Sequence, residues 1–202
     1  MRLSERLAAF KRIKAHFDSL DREGLRHGRL PMRSTEFGFW GTTNMNDAYT
    51  FFSRIRLERF KGFVDLGCGD GRIVLIASLF TNATGIEGET ELVDIGNKAI
   101  KEIGYWDRSP GSGDTGPFPA TLKNKDYATE DLSQYDVLFM FPDKRFDAAM
   151  VGKLLSEFRG YLFVYNRVYA PAGIKAGKTY WIDQLPIASY AINVEERNLE
   201  ME

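Results

Sequence analysis

The stretch Asp65-Leu66-Gly67-Cys68-Gly69-Asp70-Gly71-Arg72 decides the fold. It begins inside a short, mostly apolar segment, Phe63 to Leu66, and leads into a second one, Arg72 to Phe80. The first has the length of a buried strand and the second that of a helix packed on a sheet, so the order is strand, D-x-G-x-G-x-G, helix. Glycines let a backbone turn tightly and approach a ligand where a side chain would block it, and the amino end of the next helix adds unpaired N–H groups. A nucleoside-bearing ligand is predicted to lie across this loop.

Outward from the loop, strand and helix patterns alternate. A strand at Ala83 to Glu87 precedes a helix from Glu89 to Ile103, on which Leu92, Ile95, Ala99 and Ile103 keep helical spacing. Strands follow at Thr121 to Lys125 and Asp136 to Phe141, then a helix at Ala148 to Phe158 and a strand at Tyr161 to Tyr165. Lys178 to Leu185 and Ile187 to Val194, split by Pro186, suggest a closing antiparallel pair. On the amino-terminal side, Leu3, Leu7, Phe10, Ile13, Phe17 and Leu20 mark one face of an amphipathic helix starting near Ser4. Asp21 to Thr43 reads as a loop, and a short helix is expected from Asn46 to Arg59.

Such alternation predicts an α/β fold. The expected form is a Rossmann-like three-layer sandwich: a mostly parallel seven-stranded sheet with an antiparallel closing strand, plus an amino-terminal accessory helix. Residues 1–202 are read as a single domain, with an extension at 1–60 and the core at 61–195. A flexible insertion at 104–120 is rich in glycine and proline.

Composition narrows the function. The 202 residues are 44% hydrophobic and 27% charged, as in an ordinary globular protein, and no apolar run approaches the roughly 18 to 20 residues of a membrane span. One cysteine and two histidines without ligand spacing argue for a reducing, cytoplasmic setting and no structural metal. A formal charge of -1 gives no overall attraction to polyanions, which makes nucleic acid a weaker substrate expectation than a protein or a small molecule.

The dinucleotide fingerprint G-x-G-x-x-G, started at Gly67, needs a third glycine where this chain has Arg72, so a pyrophosphate loop is disfavoured. Glu87 ends the second strand twenty-two positions after Asp65, where a carboxylate can accept both hydroxyls of a ribose, and Gly88 beside it leaves room. A surface cap on the next helix is the alternative reading of Glu87, which the spacing disfavours.

The stretch from Asp65 to Arg72 resembles motif I of class I S-adenosylmethionine-dependent methyltransferases. The resemblance covers roughly Phe63 to Val194. It implies S-adenosyl-L-methionine as cofactor, with Asp65, Gly67, Cys68, Gly69 and Gly71 around its methionine portion and ribose, and Glu87 on the ribose. It also implies Asp126 at the adenine amino group, with Tyr127 flanking the ring, although Asp126 equally suits a turn. Asp136 to Asp143 resembles motif IV, so Phe141 and Pro142 would face the transferred methyl group. There Asp143 and Tyr165 are the catalytic candidates, to assist or bind an acceptor. The amino-methylating enzymes of nucleic acids carry a polar residue, two prolines and an aromatic residue at this place, a pattern that Phe141-Pro142-Asp143-Lys144 departs from. Related enzymes bring an amino-terminal segment over the methionine end, which would put Thr42 and Thr43 at its carboxylate. A helix cap at Thr43 or Asn44 is the simpler account. Cys68 reads as a small spacer rather than a nucleophile.

Together with Asp131-Leu132-Ser133-Gln134-Tyr135-Asp136-Val137, motif I is similar to the small archaeal and mitochondrial lysine methyltransferases. The resemblance therefore implies methyl transfer to an acceptor that is first a protein lysine and then a small molecule. A cofactor-binding module without catalysis and a nucleotide-dependent oxidoreductase are the alternatives.

Overall fold

A computed structural model describes residues 1–104, 117–166 and 168–199. The amino-terminal helix α1 (Leu3–Arg26) buries Phe10, Ile13 and Phe17, the face its spacing marks. It is followed by the strands β1 (Met32–Ser34) and β2 (Phe39–Gly41), and by α2 (Met45–Arg54), whose amino end is capped by Asn44 accepting the Asn46 N–H. Next come β3 (Gly62–Leu66), α3 (Arg72–Ala77), β4 (Asn82–Glu87) and α4 (Thr90–Ile103). The second half holds β5 (Ala120–Asn124), β6 (Val137–Met140), α5 (Ala148–Glu157), β7 (Gly160–Tyr165), β8 (Thr179–Ile182) and β9 (Leu185–Ile192).

Seven strands form one sheet in the order β5-β4-β3-β6-β7-β9-β8. All neighbouring pairs from β5 to β7 are parallel, and β9 runs antiparallel to both its neighbours. The fold is the expected Rossmann-like α/β sandwich. Central strands β6 and β7 are buried at every residue, as strands covered on both faces must be. Alternate residues serve different layers. Phe63, Phe139 and Phe163 pack against side chains of α1 to α4, while Val64, Leu138 and Leu162 join Met150 and Leu154 of α5.

Three expectations need correction. Asp21 to Thr43 is not a loop throughout, because α1 continues to Arg26 and β1 and β2 pair as an antiparallel hairpin, with Arg33 opposite Trp40. Strands of three residues are too short to show alternation, so periodicity could not reveal them. Likewise, Pro186 does not divide the closing pair. The turn is Asp183-Gln184, with Asp183 at φ 52°, and Pro186 is the second residue of β9, near a strand start, where proline is tolerated. The helix expected to reach Arg59 ends earlier, since Arg56 is left-handed and a 3-10 turn, Leu57–Arg59, follows. The insertion expected at 104–120 falls mainly on 105–116, outside the described residues. Among the described residues, no helix is long and apolar enough to cross a membrane.

Candidate functional site

Strand order reverses between β3 and β6, and an open α/β sheet forms its ligand crevice at the carboxyl ends of the strands beside such a switch point. The glycine loop leaves β3 there and Phe141 to Asp143 leave β6. Two cavities open at this place, of about 240 and 500 Å³, which together match the roughly 300–1,000 Å³ of small-molecule sites.

The smaller cavity is lined by Glu87, Gly88, Asp126 and Tyr127, the residues expected at the adenosine end. The larger one is lined by Thr42, Thr43, Asp65, Cys68 and Gly69, those expected at the methionine end. Gly67, Phe141, Pro142 and Asp143 border both. Two predicted residues stand apart. Gly71 caps α3 at φ 76° and packs against Leu122 of β5, so it serves helix–sheet packing. Tyr165 is buried against Phe141 with ring centroids 5.0 Å apart, and its hydroxyl donates to Asp47 of α2 at 3.3 Å. Burial, together with the Asp47 charge, holds its phenol well above the ordinary range, and its hydroxyl is engaged by Asp47 rather than turned to the cavities.

Carboxylates concentrate around the loop. Glu87 Oε2 accepts the Gly69 N–H at 2.9 Å and its Oε1 accepts the Glu89 N–H at 2.9 Å, so this residue is both a loop anchor and a helix cap. Asp65 is buried, and burial with the nearby charges of Glu87 and Asp70 pushes its carboxyl up to about 8. The same surroundings push the Cys68 thiol up, burial first and then Asp65, which leaves it unreactive and fits the spacer reading. Asp126 accepts the Ala128 N–H at 2.9 Å and so starts a turn while lining the cavity. Because Asn44 caps α2, the Thr42 and Thr43 hydroxyls are not needed there. Among the described residues, no group of three or more His, Cys, Asp or Glu side chains is placed to hold a metal ion.

The loop is fastened from behind. Arg72, 4% exposed, donates Nε to Asp70 Oδ1 at 3.0 Å and Nη2 to Asp70 Oδ2 at 2.6 Å. It also grips Asp21 of α1 through Nη1 and Nη2 at 2.9 Å each. Where a dinucleotide loop has its third glycine, this chain has an arginine that ties the loop to the accessory helix.

Sequence reasoning missed the part played by the hairpin. Phe37, in its turn, lies over Gly88, where a Cβ would sit 2.5 Å from the ring. A Cβ on Gly69, which is left-handed at φ 56°, would collide with the indole Nε1 of Trp40. The one available signal was the aromatic run Phe37-Gly38-Phe39-Trp40 inside an otherwise polar segment.

Comparison with known proteins agrees with this architecture. No protein-family profile matches the chain, and no curated protein does. Among solved structures, an RNA methyltransferase from Salinibacter ruber in complex with S-adenosyl-L-homocysteine is similar at TM-score 0.57, with 19% identity, over 80% of this chain and 99% of its own. A methyltransferase from Geobacter sulfurreducens gives TM-score 0.59 at 13% identity, over 89% of this chain and 88% of its own. The chain has the class I methyltransferase fold. A 16S rRNA N2 G1207 methyltransferase from T. thermophilus, in complex with AdoMet and guanosine, shares that fold at TM-score 0.54 and 13% identity, over 80% of this chain and 49% of its own.

Proposed function

We propose that this chain is an S-adenosylmethionine-dependent methyltransferase acting on a protein or small-molecule acceptor. One observation carries the reading: Asp65 and Glu87, the acids at the ends of two neighbouring strands, line the cavities on either side of the glycine loop, while Asp70 is held by Arg72 behind it. A pyrophosphate would set two negative charges against the Glu87 carboxylate, whereas a sulfonium and an ammonium are attracted to it. This argues against the oxidoreductase alternative on electrostatic grounds, independently of Arg72 replacing the third glycine. The fold likeness to methyltransferases supports the same choice.

In this reading, Glu87 holds the ribose, Asp126 and Tyr127 meet the adenine, and Asp65 with the Gly67–Gly69 backbone holds the methionine end. When bound, the cofactor supplies a methyl group already activated by its sulfonium. The chain's own residues then need only position and desolvate, which in an in-line displacement can supply much of the acceleration. Phe141, 43% exposed at the end of β6, is the apolar wall beside the transferred group. Asp143 lines both cavities and is the carboxylate this reading places toward the acceptor. A protein lysine comes first among acceptors, supported by a mouth with Asp143 set among the exposed side chains of Phe39, Phe141 and Val168, which suit the stem of a long aliphatic amine. A small molecule comes second.

The test is incubation of the purified chain with methyl-labelled cofactor and a proteome extract. Label on protein lysine supports the reading as stated, and label in the small-molecule fraction supports the second acceptor. Cofactor binding without transfer to either would make the chain a binding module.

A further inference from the structure

The β1–β2 hairpin crosses the crevice between the two cavities, and Phe39 and Trp40 line both of them. A ligand reaching from Thr42 to Asp126 therefore passes beneath this strip. Among the described residues, two polar contacts tie the hairpin to the rest of the chain. The Phe39 N–H donates to Asp143 Oδ2 at 2.6 Å, and Arg33 Nη2 lies 2.7 Å from Glu91 Oε2 of α4. The second tie joins side chains 40% and 60% exposed and contributes little in water. Two three-residue strands do not hold a hairpin on their own, so Asp143, beside the packing of Phe37 on Gly88 and Trp40 on Gly69, is the polar tie that seats it.

The underside of the hairpin is chemically prepared. Trp40, Thr42 and Thr43 line the 500 Å³ cavity, and among the described residues neither the indole N–H nor either hydroxyl has a hydrogen-bond partner. They are donors on the side where the reading above puts a carboxylate. At the other end, Phe37 covers Gly88 with the face of its ring. The need for glycine at 69 and 88 thus comes from the hairpin as well as from the ligand.

We propose that the hairpin is a clasp forming the outer wall of the cofactor site, in which Trp40 donates its indole N–H to the methionine carboxylate and Asp143 is the positioning residue that seats the clasp. The inference rests on the methyltransferase reading. It assigns Asp143 a task distinct from chemistry: holding the hairpin down while the ligand is bound, so that loss of the carboxylate is felt in how fast the ligand leaves.

The experiment uses the full chain and S-adenosyl-L-homocysteine as the probe, with calorimetry for affinity and stopped-flow tryptophan fluorescence for rates. Trp40→Phe should weaken binding about tenfold, the loss of one hydrogen bond to a charged group. It should also remove most of the fluorescence change on binding, although two of the three tryptophans remain. Asp143→Ala should raise the dissociation rate about tenfold with the melting temperature little changed, and Asp143→Asn, which keeps an acceptor oxygen, should fall between it and the unmodified chain. If Trp40→Phe and Asp143→Ala bind and release the probe like the unmodified chain, the clasp is wrong while the methyltransferase reading stands. If the unmodified chain does not bind the probe, both fall.

Discussion

The Glu87 carboxylate, at the end of one strand, accepts the backbone N–H of Gly69, in the loop that leaves the neighbouring strand, at 2.9 Å. This bond fixes the distance between the acidic strand end and the glycine loop, and its partner bond from Glu89 N–H fixes the start of α4. A single side chain therefore shapes the floor of the crevice from both directions.

Glu87→Ala should lower the affinity for S-adenosyl-L-homocysteine by about tenfold or more, since one hydrogen bond to a charged group contributes roughly 1.5 to 3 kcal/mol. It should also lower the melting temperature, because two backbone donors lose their acceptor. Glu87→Gln, which keeps one acceptor oxygen, should recover part of the stability and less of the affinity. Calorimetry and thermal unfolding on the two variants separate these effects. Unchanged affinity in both would leave Glu87 as a cap alone.

Asp65 should make cofactor binding pH-dependent. Its carboxyl is held at about 8 in the folded chain, above the ordinary carboxylate range, so below that pH it is mostly protonated. A raised carboxyl favours folding in its neutral form, and its contribution to stability declines as pH rises through this range. A bound cation favours the ionised form, so binding releases a proton below pH 8. Affinity should climb from pH 6 to 8, by up to about tenfold per pH unit, and level off above. Asp65→Asn should remove the part of the slope that Asp65 contributes and raise the melting temperature at pH 8.5. The same slope in both proteins would contradict the assignment.

Arg72 should be costly to replace. Arg72→Met leaves Asp70 buried without its cation, and breaking a buried pair from one side costs about 3 to 5 kcal/mol. Asp21→Asn should cost less, because Asp21 is partly exposed and Asp70 keeps its bond to Arg72. Urea unfolding measures both, with unchanged slope confirming that the midpoint shift is one of stability.

How much was readable in advance follows from the length of each signal. Apolar runs at 63–66, 137–141 and 161–165, joined by glycine loops and periodic helices, announce the parallel sheet because burial on both faces imposes them. Asp65, Glu87 and Asp126 were legible as strand-end acids at intervals that the fold requires. Trp40 and Phe37 were not, because they reach the site through a hairpin too short for periodicity, and what places them is contact with Gly69 and Gly88, far away in sequence. Tyr165 was proposed from its strand-end position alone. Sequence could not reveal that Asp47 of α2 would claim its hydroxyl. Nor could it reveal that Asp70 and Asp21, on separate elements, would share Arg72.

The most direct measurement of the central claim is thermal unfolding of the purified chain with S-adenosyl-L-homocysteine, S-adenosylmethionine or NAD added separately. At about a hundred times its dissociation constant a ligand adds roughly 2.7 kcal/mol, which for a chain of this size raises the melting temperature by about 5 to 11 °C. The account predicts that shift with the two sulfur nucleosides and none with NAD, whose pyrophosphate calls for a third loop glycine where this chain has Arg72. A shift with NAD alone would contradict it.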